Sequence, residues 1–119
     1  MADDVYPPTH PDRSRALIPL GDAYLAHGDA AAAAGAFESA ARLLATPGES
    51  HVRSAIEARI GLARARTAQR RSADAAVALA EATALLDAHP QATHALRAQL
   101  ESARRALAVA RHPRHGVSR

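Results

Sequence analysis

The chain has no cysteine, no tryptophan and no lysine, and its 119 residues hold only three aromatics, Tyr6, Tyr24 and Phe37. Without cysteine there is no disulfide and no thiolate metal site, and nothing calls for an oxidising compartment. Three aromatics offer little for stacking nucleic-acid bases. No apolar run approaches the length of a membrane-spanning helix. The N-terminus, Met1-Ala2-Asp3-Asp4, is acidic where a secretory signal is basic and then apolar, so a cytoplasmic location is expected. Bulky apolar residues are also scarce: Leu, Ile, Val and Phe together number 21, against 33 alanines. So low a bulky fraction raises the question of disorder. The net charge of +3 and the helix propensity of alanine argue for a folded all-helical chain instead. Alanine contacts exclude less apolar area than leucine contacts, so the expected core is thin.

Breakers divide the chain into an irregular or disordered leader, 1–13, a helical domain, 14–111, and a basic flexible tail, 112–119. Pro7, Pro8 and Pro11 mark the leader. Ser14 is positioned to N-cap a first helix of about 15–27, which Gly28 ends. Pro19 conflicts with that helix because it lacks an N–H and clashes with the carbonyl of Arg15. The helix therefore either starts late, near Ile18, or is kinked in its first turn. Asp29 caps a second helix, 30–45, with Phe37, Ala40, Leu43 and Leu44 on its apolar stripe, and Thr46-Pro47-Gly48 breaks it. A third helix over about 50–70 carries Val52, Ile56, Ile60 and Ala63 on one face. Ser72 caps a fourth, about 73–88, with Val77, Leu79, Leu85 and Leu86. Pro90 suits the start of a fifth, about 91–111, striped by Leu96, Leu100, Ala103, Leu107 and Ala110. Arg97, Glu101, Arg104, Arg105 and Arg111 fall off that stripe.

The chain repeats internally. An offset of 40 lays Leu20-Gly21 on Ile60-Gly61 and Ala23 on Ala63, whereas the second helices superpose at 42, Ala40–Leu44 on Ala82–Leu86. A further 40 lays Ile60 on Leu100, but Glu101 replaces the small residue. The fifth helix then reads as the one-sided element that closes a stack.

The set Leu17-x-x-Leu20-Gly21-x-x-Tyr24, Gly28-Asp29 and Ala33-x-x-x-Phe37-x-x-Ala40 alternates small residues with single large ones, which lets two helices approach closely. This pattern resembles the tetratricopeptide repeat, a helical hairpin of about 34 residues that stacks on its neighbours. The second unit departs from it: Arg64 stands at the tyrosine position and no aromatic replaces Phe37. The resemblance implies an all-α, right-handed stack of antiparallel hairpins with five helices. It also implies a non-catalytic scaffold, adaptor or regulatory module that docks a peptide or helix of a partner protein. Its concave groove would be lined by Ile18, Asp22 and Leu25, then by Ala58, Arg59, Leu62 and Arg66. Arg59, Arg66 and Arg70 would form a positive stripe suited to an acidic or C-terminal carboxylate group. Those arginines read equally well as a solvated face balanced by Glu57 and others. The asparagine and lysine clamp of chaperone-tail-binding relatives is missing, since Ile18 and Asp22 stand at those positions.

Other readings have less behind them. None of the seven histidines pairs at i, i+4 on an expected helix, and His112-x-x-His115 is split by Pro113, so no metal site is expected. No glycine-rich phosphate loop exists, and Gly35 and Gly61 read as packing positions. No cofactor and no catalytic residue are expected. Arg64, Arg66, Arg70, Arg71 and the tail arginines could neutralise phosphates, but few aromatics and no polar recognition helix accompany them, which argues against nucleic acid. Two and a half repeats bury little, so a homodimer through the first helix, the fifth helix or the smooth strip 30–34 is a further option.

Overall fold

The computed structural model describes residues 10–45, 48–90 and 94–111. Among them are five α-helices and no strand: α1 Ser14–Ala26, α2 Ala30–Leu43, α3 Val52–Ala68, α4 Ser72–Ala88 and α5 His94–Arg111. Short 3-10 turns, Pro11–Arg13 and Glu49–His51, lead into α1 and α3. The leader before His10 and the tail after Arg111 lie outside the described residues, as does the Thr46-Pro47 break.

α1 starts at Ser14, ahead of Pro19, and runs through the proline. Of the two expected alternatives the late start fails, since the 3-10 turn at Pro11–Arg13 feeds straight into the helix, with Arg13 already in the αR region. Ser14 therefore does not cap α1; it is fully buried and its hydroxyl has no hydrogen-bond partner. Ser72 likewise opens α4 without capping it, Arg71 holding the N-cap position. Asp29 does cap α2, its Oδ1 accepting from the Ala32 N–H at 3.0 Å.

The same turn closes α1 and α3. Gly28 has φ 81, the Gly28 N–H donates to Leu25 O, and the Asp29 N–H donates to Tyr24 O. This is the Schellman arrangement, in which a left-handed residue lets the chain satisfy the last helical carbonyls. After α3 the left-handed residue is Arg70, φ 65, with Arg70 N–H donating to Thr67 O and Arg71 N–H to Arg66 O. Three residues then join α1 to α2 and α3 to α4, and each pair packs as a helical hairpin.

α3 is the hub: it packs on α1, α2, α4 and α5. The core runs along it in two clusters. One gathers Ala33, Ala34, Phe37 and Ala65, with Ile18, Tyr24, Leu25 and Leu62 against them. The other gathers Val52, Ile56, Ile60 and Ala63 with Ala75, Ala78, Leu79, Ala82 and Leu86 of α4 and Leu96, Leu100, Ala103 and Leu107 of α5. The α3 stripe matches the sequence expectation, and so does the α5 stripe except for Ala110, which is only half-buried and outside the cluster. In α4 the expected Leu79 and Leu86 are buried and Leu85 is partly so, Ala75, Ala78 and Ala82 complete the stripe, and Val77, expected on it, is 58% exposed. Gly35, read as a packing position, faces open space on α2. Gly61 and Gly21 are the packing glycines, both against the ring of Phe37.

Candidate functional site

Two concavities flank α3. The larger, about 650 Å³, lies between α1, α3 and α5 and is lined by Ile18, Pro19, Asp22, Leu25, Glu57, Ile60, Gly61, Arg64 and Gln99. Its depth follows from the glycines. Because Gly21 and Gly61 have no side chains, the Phe37 ring of α2 sits against both backbones and holds α1 and α3 level at the 40-residue offset. Ile18 and Leu25 supply an apolar wall on α1, and Ile60 an apolar floor on α3. Asp22 stands between them on one wall, and Glu57 and Arg64 stand two helical turns apart on the other. Glu57 is met by Arg53 at 3.5 Å, a surface i, i+4 contact. Asp22 and Arg64 have no ion pair or hydrogen bond among the described residues.

The second concavity, about 450 Å³, lies on the opposite flank of α3, between α2 and α4. It takes Arg59, Leu62 and Arg66, along with Glu38, Arg42, Arg71, Asp74, Val77 and Glu81. The seven residues expected to share one groove are thus split. Ile18, Asp22 and Leu25 line the first groove, Arg59, Leu62 and Arg66 the second, and Arg70 sits exposed in the α3–α4 turn, in neither. Ala58 is fully buried.

The expected positive stripe is also not free. Arg59 is buried, with Nη1 donating to Ala55 O at 3.0 Å, Nη2 donating to Leu44 O at 3.3 Å and Nε facing Glu81 at 3.6 Å. Leu44 is the C-cap of α2, so Arg59 ties the end of α2 to α3 and α4. Burial lowers the Arg59 pKa and the Glu81 charge partly restores it; the guanidinium stays charged. Arg66 pairs with Glu38 at 3.5 Å and donates to Gln69 Oε1 at 3.1 Å. Arg71 pairs with Asp74 at 2.6 Å. The carboxylates that meet the stripe are therefore Glu81 at Arg59 and Glu38 at Arg66, while Asp74 pairs with the neighbouring Arg71 and Glu57 is occupied on the other side.

A third feature had no forewarning in the sequence. Asp12, in the turn before α1, accepts a hydrogen bond from His51 Nε2 at 2.8 Å, in the turn before α3. The Ser50 hydroxyl lies 3.3 Å from His51 Nδ1, and the Asp12 N–H donates to His10 Nδ1 at 3.1 Å. This clasp holds the starts of the two groove-forming helices together. It also gives residues 10–13, read as leader, an ordered role.

The strip 30–34 is not a free face, because Ala33 and Ala34 are buried against Phe37 and Ala65. At the outer side of α1, Leu20 is 43% exposed beside Ala16 and Leu17. No helix among the described residues is long and apolar enough to cross a membrane. No family model, curated protein or solved structure matches the chain.

Proposed function

We propose that this chain is a non-catalytic protein-interaction module, a short tetratricopeptide-like right-handed stack whose α1–α3–α5 groove docks a peptide or helix of a partner protein. The observation that carries the reading is that groove. It is about 650 Å³ in volume, has apolar walls from Ile18, Leu25 and Ile60, and holds the unpaired charges Asp22 and Arg64. Pockets that mix an apolar lining with a few placed polar groups are the usual form of a binding site. The stack is supported by α1 touching α3 and α3 touching α5, and by the large Phe37 seated against two glycines one repeat apart. Nucleic-acid binding draws less support, since Arg59, Arg66 and Arg71 are each matched by a carboxylate.

A photocrosslinking amino acid in place of Pro19, which is exposed and lines the groove, tests the reading in host cells. The expected result is one discrete crosslinked protein that is absent when the same group replaces the exposed Ala84 of α4. Equal labelling from both positions, or none from position 19, overturns it. Retention on nonspecific DNA is expected to be weak; strong retention falling steeply with salt would restore the nucleic-acid reading.

A further inference from the structure

α1 is apolar almost all round, yet little of it is buried. Arg15 and Asp22 are its only charged residues, and of its 13 residues only Ser14 and Gly21 are buried. A helix of that composition is normally enclosed by other elements. Among the described residues α1 packs on α2, α3 and the turn at Pro11–Arg13. Its other side, Ala16, Pro19, Leu20, Ala23 and Ala26, is exposed and spans about 120° of the helix. We infer that this face pairs with the same face of a second copy of the chain, the two α1 helices running antiparallel across a twofold axis beside Pro19.

The two charges select that occupant. Arg15 and Asp22 are both exposed and seven residues apart, so they stand on one edge of the face, about 10 Å from each other along the helix axis. Neither makes an ion pair or a side-chain hydrogen bond among the described residues. Arg15 acts on Asp12 only at a distance. Two opposite charges placed evenly about a midpoint are complementary to their own reversed copy. A twofold axis through that midpoint, between Ile18 and Pro19, lays Arg15 on the partner's Asp22 and Asp22 on the partner's Arg15. Ala16 and Ala23 are also seven apart and are centred one residue further on, so the same axis brings them together and lets the helices approach closely. A parallel pairing sets the charges of the two copies on opposite edges, and no ion pair forms.

The other two surfaces open to self-association carry less. In the strip 30–34, Ala33 and Ala34 are buried. The exposed side of α5 carries Arg97, Glu101, Arg104 and Arg105. On the outer side of α1, by contrast, Ala16, Leu17 and Leu20 line a concavity of about 390 Å³ that is more apolar than either flank of α3. A helix of this length extends only about 20 Å, so the contact is small and the dimer forms reversibly at high concentration.

Sedimentation equilibrium at low salt, with protein up to about 0.5 mM, tests the pairing. The wild-type mass is expected to rise with concentration from 12.4 kDa toward twice that value. Leu20→Arg is expected to hold the chain at the single mass throughout. Arg15→Asp and Asp22→Arg each turn both reciprocal pairs into like-charge contacts, and each is expected to weaken association about tenfold. The double variant restores the pairs with their signs exchanged and should associate as wild type does. All of these are exposed positions, and unchanged far-UV circular dichroism separates lost association from a lost fold. A crosslinked product of twice the chain's own mass from position 19, which borders this face as well as the groove, would report the same contact. A wild-type chain that keeps the single mass at every concentration gives the face to some other occupant and overturns the inference. A dimer that survives Leu20→Arg, or a double variant that fails to recover, does so as well.

Discussion

The ring of Phe37 lies so close to Gly61 that a Cβ placed on the glycine would stand 2.3 Å from Phe37 Cε1. At Gly21, against the same ring, the nearest approach would be 2.7 Å. Phe37 is fully buried, so the ring has nowhere to retreat. Gly61→Ala gains about 1 kcal/mol of helix propensity. Overpacking sets several times that against it, leaving a net loss of about 1–3 kcal/mol by urea denaturation. Gly21→Ala is expected to cost less. Gly35→Ala, in open space on α2, is expected to stabilise by up to about 1 kcal/mol. Phe37→Leu should be better tolerated in the Gly61→Ala background than alone, and strictly additive losses would mean the ring is not what the glycine accommodates.

The hairpin turns make a paired prediction. Gly28 and Arg70 both hold left-handed backbone in the same turn, and only one of them is a glycine. A non-glycine residue there costs about 1 kcal/mol or more. Arg70→Gly is therefore expected to raise stability by about 0.5–1 kcal/mol, and Gly28→Ala to lower it by a similar amount. Arg70 is exposed and lines neither concavity, so crosslinking from position 19 should not change with it. A loss of that crosslink in Arg70→Gly would return that residue to the site.

Most of the fold was written in local signals: the Gly28-Asp29 turn, the Leu96–Leu107 stripe, and the offsets of 40 and 42. The offset of 42 even lays Arg70 on Gly28, a signal that marks it as a turn residue and not a groove residue. On α4 the leucines were read correctly, Leu79 and Leu86 being buried and Leu85 partly so, but Val77 lies outside, because in an alanine-rich helix small residues such as Ala75, Ala78 and Ala82 themselves fill the buried face. The residues expected to share one groove divide between two concavities for a geometric reason. The two walls of the α1–α3–α5 groove are opposite flanks of successive helices, so moving Ile18, Asp22 and Leu25 forward by one repeat lands on Ala58, Leu62 and Ala65. Two of these are buried and the third faces away, whereas the true facing wall is Glu57, Ile60 and Arg64. The clasp between Asp12 and His51 spans 39 residues and follows no periodicity, so nothing local announced it.

Arg59 is expected to matter for stability and not for ligand. Removing its side chain leaves Leu44 O and Ala55 O without their charged donor, at the point where α2 ends beneath α3 and α4. Arg59→Ala should cost about 2–3 kcal/mol in thermal or urea denaturation. Arg59→Lys should recover only part of that, because an ammonium cannot span both carbonyls and Glu81 as the planar fork does. Glu81→Gln should cost much less, since Glu81 is half exposed. Unchanged stability in Arg59→Ala, with crosslinking from position 19 lost, would reverse the assignment.

The clasp gives the pH dependence. The hydrogen bond from His51 holds the Asp12 carboxyl below its ordinary value of 3.8; partial burial pulls it back up, and the nearby charges of Arg15, His10 and His51 lower it further. A carboxyl depressed in the folded state binds its proton more tightly when unfolded. Its contribution to stability is thus present above the ordinary value and is lost as pH falls through the folded one. Wild type should therefore melt above Asp12→Asn at about pH 5, and the margin should shrink below about pH 4. His51→Gln, which can still donate a hydrogen bond but carries no charge, should keep part of that margin, whereas His51→Ala should abolish it. Because the clasp joins the starts of α1 and α3, which wall the groove, acid should also raise amide exchange in Pro11–Arg13 and Glu49–His51 before it does so along α3. A margin that does not change with pH would mean that Asp12 contributes through packing alone.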